Sequence, residues 1–153
     1  MRTNQKMKLL TEHLDRGRHD RSQMLDGRLV PLLARGLARI EDCVVLVSQE
    51  NLAHAKLDDF TDETGYECFV NHVHVTDYID TPTNGLVLLE QGIALARKLA
   101  QALSDSSMEG HFRIIISFDE SECTVRFHKI RRGQNWLSAD LEKYEEAIGI
   151  LDT

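Results

Sequence analysis

The sequence predicts an α+β fold in which a small antiparallel sheet of about three or more strands packs against several helices. Three observations predict it. Phe112, Ile114, Ile116 and Phe118 alternate with Arg113, Ile115 and Ser117; after the acidic turn 119–122, Cys123, Val125 and Phe127 alternate with Thr124, Arg126 and His128. A period of two on both sides of a short turn is the pattern of a β-hairpin, here over 112–130 with one face to the core. Leu88, Leu89, Ile93, Ala96, Leu99, Ala100 and Leu103 recur at helical spacing and predict a helix over 86–103. Finally, 153 residues with 42% apolar and 28% charged side chains fit one globular domain spanning 1–153.

The remaining elements follow in chain order. Met7, Leu10 and Leu14 set a first helix over 4–14, and the charged run 15–21 reads as a loop or exposed helix end. Pro31 suits a first helical turn, and Leu33, Leu37, Ile40, Val44 and Val47 follow at steps of four and three. This predicts a helix that 48–56 could continue, against a competing short strand at 44–47 suggested by β-branched residues. Residues 1–60 are therefore expected to be mainly helical, and 66–153 to run strand, helix, hairpin, helix. The run 58–65 reads as a turn. Segment 66–75 (YECFVNHVHV) reads as a strand, either covered on both faces or bulged near Asn71. The run 80–85 is a turn. Ser138 is the expected N-cap of a last helix over 139–151, with Asp140 and Glu142 in its first turn.

Composition narrows the function. The longest apolar run, Cys43 to Val47, is far too short to cross a membrane. The N-terminal stretch MRTNQKMKLL lacks the continuous apolar segment of a secretory leader. Three widely spaced cysteines, Cys43, Cys68 and Cys123, argue against a disulfide framework and a thiolate zinc site, so a cytoplasmic setting is expected. A net charge of −7 argues against direct nucleic-acid or membrane binding and would suit a basic partner.

No phosphate-cradling loop and no nucleophile elbow occurs. The sharpest enzymatic pattern is His72-Val-His74: on a strand both imidazoles project from one face, with His128 or Asp77 as a third metal ligand. Its bland counterpart is a polar strand face whose histidines bond loops or water. Cys68 and Cys123 are expected as buried, inert thiols. Arg126, Lys129, Arg131 and Arg132 form the one cationic cluster beside an aromatic, Trp136. They are expected to pair with the acidic terminal helix carrying Asp140, Glu142, Glu145 and Glu146, with Trp136 as a loop or interface anchor.

The run 123–152, CTVRFHKIRRGQNWLSADLEKYEEAIGILD, carries Arg126 to Lys129, Arg131 to Trp136, Asp140 to Glu142, Tyr144 and Ala147-Ile148. Together with 66–80 it resembles small bacterial immunity proteins of contact-dependent growth-inhibition and polymorphic toxin systems. The resemblance implies a non-enzymatic, cofactor-free cytoplasmic protein that binds one cognate, basic toxin domain. Candidate contact residues are then Asp77, Asp80, Trp136, Glu142, Glu145 and Glu146, with Asp58, Asp59, Asp62 and Glu63 as further acidic positions. Two other readings stand beside it: a small metal-dependent hydrolase or isomerase using His72, His74 and His128, and a non-catalytic adaptor or regulatory subunit.

Overall fold

The computed structural model describes residues 1–16, 24–47, 55–79 and 85–153. In chain order the elements are β1 (Arg2–Thr3), α1 (Gln5–Arg16), α2 (Val30–Ala34), β2 (Leu37–Ile40), β3 (Cys43–Leu46), α3 (Glu63–Val70), β4 (Val73–His74), α4 (Leu86–Asp105), β5 (Phe112–Phe118), β6 (Cys123–Lys129) and β7 (Ala147–Asp152). A five-stranded antiparallel sheet runs β1-β7-β5-β6-β4, and β2-β3 form a separate hairpin. The fold is α+β, as the sequence predicts.

The hairpin β5–β6 forms over the predicted residues, Phe112 facing Lys129 and Phe118 facing Cys123. Its Phe112, Ile114, Ile116, Phe118, Val125 and Phe127 meet Leu88, Leu89, Ile93, Leu99 and Leu103 of α4, which lies across the sheet. The helix comes so close to β6 that a Cβ added at Gly92 would stand 2.2 Å from the Cys123 sulfur. The opposite sheet face is not simply solvated. Ile115 is buried there with Leu141, Ile148 and Ile150, so β5 is covered on both sides.

Three expectations are corrected. The stripe from Leu33 to Val47 is not one helix: α2 ends at Ala34, Gly36 takes φ +77°, and β2–β3 turn back through Glu41, also at positive φ. The four residues of β3 are all buried, so their apolar side chains carry no helical period, and the competing strand reading fits 44–46. The proposed continuation over 48–54 lies outside the described residues, as does most of the turn at 80–85.

The first half of segment 66–75 is helix, the end of α3. Asp62 caps α3, its carboxylate accepting from the Gly65 N–H at 2.7 Å. Tyr66 and Val70, four apart, pack on Cys43 and Val45. Only Val73–His74 pairs as a strand. The expected C-terminal helix is a single 3-10 turn at Leu141–Lys143 followed by β7. Strand β7 buries Ile148 and Ile150 on one side and Ala147 on the other, and this two-sided burial imitates a helical stripe in the sequence.

Helix α3 also joins the two sheets. Glu67 and Asn71, four residues apart and almost fully buried, reach both ways from one helix face. Glu67 accepts from the backbone N–H groups of Val44 (2.7 Å) and Lys129 (2.7 Å). Asn71 accepts from Leu46 N–H and donates to the carbonyls of Val44 and Phe127. The open edge of β3, and the end of β6 beyond its pairing with β4, are thus satisfied by side chains instead of by strand pairing.

Candidate functional site

The sheet face away from α4 carries the polar chemistry. Facing residues of an antiparallel pair share a side, so the register maps this face in rows. Ile148, Ser117, Thr124 and His74 form one row; Ile150, Ile115, Arg126 and His72 form the next; Asp152, Arg113 and His128 follow. The same alternation carries Asp119, Glu122 and Glu146 onto this side at the turn end. Leu137, Leu141 and Tyr144 cover the isoleucines. What stays open is a cleft of about 230 Å³ lined by His72, His74, Ser117, Thr124, Arg126 and Glu146, with Asp119 and Glu122 at its rim.

Inside it the His72 and His74 rings lie 4.2 Å apart, centroid to centroid. His74 Nδ1 bonds the Glu122 carboxylate. Arg126 Nη2 donates to His72 Nε2 at 2.9 Å. Burial, then the charge of Arg126, pushes the His72 pKa down to about 4, so the imidazole is neutral and accepts that hydrogen bond. On its other side the Arg126 guanidinium lies 5.2 Å from the Trp136 ring centre.

Trp136 leads into a second hollow of about 480 Å³, bordered by Asp59, Phe60, Asp62, Phe69 and Asn135. Phe60 packs against Phe69 at 5.2 Å and edge-on against Tyr66 at 5.5 Å, which anchors the aromatic floor in the core. The loop bearing Trp136 is tied to the start of α3: Gln134 donates to Glu63 at 2.7 Å and accepts from both the N–H and the hydroxyl of Thr64. Phe69 and Trp136 stay 48% and 42% exposed.

The predicted site residues separate into groups. Trp136 borders the hollow, together with Asp59 and Asp62, whereas Glu146 faces the cleft. Glu142 is spent on the fold, accepting from the Gln5 N–H at the start of α1. Glu145 is exposed, and its backbone carbonyl receives Lys6. Asp77 is exposed on the turn after β4 and lines neither hollow; Asp80 lies outside the described residues.

His72 and His74 share the cleft, but His128 is buried two rows from His74 and bonds the Lys129 carbonyl. Among the described residues no three His, Cys, Asp or Glu side chains are grouped to hold a metal ion, so the three-histidine arrangement does not form. Nor do the cations pair with the acidic C-terminal segment as expected. Lys129 binds Asp42, and Arg131 binds Glu67 at 2.6 Å and Asp42 at 3.4 Å. The three cysteines are buried, and burial pushes the thiols of Cys43 and Cys123 up to about 12, consistent with inert structural roles.

The sequence pattern does not reveal the roles of Phe69, Ser117 and Thr124, nor that Arg126 forms no ion pair among the described residues. Phe69 was hidden by the strand assignment; the cap Asp62 followed by Tyr66/Val70 and Glu67/Asn71 at i, i+4 is the signal that exposes it.

Fold and site together define an α+β protein with one closed and one chemically open sheet face. The chain belongs to the Uncharacterized protein PM0498 family, whose model matches residues 2–153. No curated protein and no solved structure matches it. Among the described residues, no helix is long and apolar enough to cross a membrane.

Proposed function

We propose that the protein is an immunity protein that binds and neutralises a cognate bacterial toxin in the cytoplasm, using the aromatic hollow as its contact face. One observation carries the reading: Phe69 and Trp136, half-exposed and held by the core and by Gln134, flank a hollow edged by Asp59 and Asp62. Large aromatics fixed on rigid supports cost little entropy to bury and are favoured as interface anchors. The acidic edge and the net charge of −7 favour a basic partner, such as a toxin that must present cations to nucleic acid.

The test is functional. A toxin domain encoded at the C-terminal end of a large secreted protein, in the reading frame immediately upstream, is co-expressed with this chain. Growth is rescued and a stable complex is isolated if the proposal holds; loss of viability with no measurable complex removes it.

A further inference from the structure

The polar cleft poses a charge problem that the protein solves only in part with its own groups. Arg113 is paired with Asp152 at 2.7 Å, and Arg131 with Glu67 and Asp42. Arg126 is as sheltered as these, yet among the described residues no carboxylate forms an ion pair with it, and Glu146 in the same cleft acts on it only by longer-range attraction. Its contacts are the neutral His72 nitrogen and the face of Trp136. A guanidinium offers five N–H donors, and among the described residues only one is used here. A half-buried cation with open donors facing a cleft is a receptor for a carboxylate, which meets a guanidinium through two parallel hydrogen bonds.

The rest of the lining restricts which carboxylate. Glu146 stands in the cleft with no hydrogen bond to its side chain among the described residues, and Asp119 and Glu122 add negative charge at the rim. A phosphate or a dicarboxylate would be repelled by these groups. A molecule carrying one carboxylate and one ammonium would satisfy both ends, Arg126 taking the first and Glu146 the second. Thr124 and Ser117, side by side on β6 and β5, supply hydroxyls between them. The volume, about 230 Å³, lies below that of pockets for drug-sized ligands and suits a small metabolite.

We propose that this cleft binds a zwitterionic small molecule of the amino-acid class, its carboxylate on Arg126 and its ammonium on Glu146. The cleft shares no lining residue with the aromatic hollow, although Trp136 at the border of the hollow packs on Arg126. Burial lowers the Arg126 pKa and the attraction of Glu146 offsets this only in part, so a bound carboxylate would add to that compensation.

The experiment titrates the full chain with each standard L-amino acid at millimolar concentration, followed by calorimetry and thermal shift. For any that binds, the deaminated acid and the decarboxylated amine are titrated as well, along with inorganic phosphate. At least one amino acid is expected to bind saturably, with both truncated analogues at least about tenfold weaker. Arg126→Gln abolishes binding. Glu146→Gln, an exposed substitution that leaves the fold intact, weakens it by about tenfold or more. Absence of binding by every amino acid, binding unchanged in both variants, or tighter binding of phosphate would each overturn the proposal.

Discussion

On the side of the sheet that faces α4, Phe112, Ile114, Ile116, Phe127 and Val125 are shut away from solvent, and a glycine, Gly92, is what lets the helix approach. On the other side the same strands present Ser117, Thr124, Arg126, His72 and His74, only partly roofed by Leu137, Leu141 and Tyr144. The comparison teaches that each strand carries two jobs in alternate residues. One set closes a core by volume and shape; the other is held in register by that core and left open to chemistry. Variants on the closed side should therefore cost stability, and variants on the open side should cost binding.

The largest loss of stability is expected at the seam between the two sheets. Glu67→Ala removes the buried partner of Arg131, which keeps only Asp42 as a carboxylate, and leaves the Val44 and Lys129 N–H groups unsatisfied, and denaturant unfolding should show a loss of about 3–5 kcal/mol. Next comes the helix–sheet contact. Gly92→Ala would force a methyl against the Cys123 sulfur, and the overpacking should cost about 1–3 kcal/mol in the same assay.

The open face predicts a pH effect instead. His72 has an ordinary pKa of 6.5 when unfolded and about 4 when folded, so the unfolded chain takes up its proton first. Its stabilising effect is present above pH 6.5 and is lost as the pH falls toward 4. His128, lowered by burial, acts in the same direction. Stability measured across that window should fall with acidification, and His72→Gln should flatten part of the slope. Smallest of all is the effect of Trp136→Ala on folding, about 1 kcal/mol or less, since it removes a half-exposed ring and one cation–π contact.

The same division explains what could be read from the sequence. Hairpin β5–β6 and helix α4 were legible because their polar and apolar residues alternate with the period of the element. Segments β3 and β7 are buried on both sides, so their unbroken apolar runs carried no period to distinguish strand from helix. Helix α3 was obscured by aromatic and β-branched residues, although its cap and its i, i+4 pairs were present; tertiary burial of Tyr66 and Val70 overrode local preference. Of the site, Trp136, Glu146 and the His72/His74 pair were legible as residue types. Their partners were not, because Arg126 meets His72 from 54 residues away and Trp136 comes to the same hollow as Phe69 only through the fold.

As a proposed contact face, the aromatic hollow should contribute to binding and not to the folding core. This is tested most directly by titrating the toxin domain with wild-type protein and with a Phe69→Ser/Trp136→Ala double variant, alongside thermal unfolding of each. The double variant should melt within a few degrees of wild type and bind about thirtyfold more weakly or worse, the size of a hot-spot loss. Undiminished affinity in a folded double variant would contradict it.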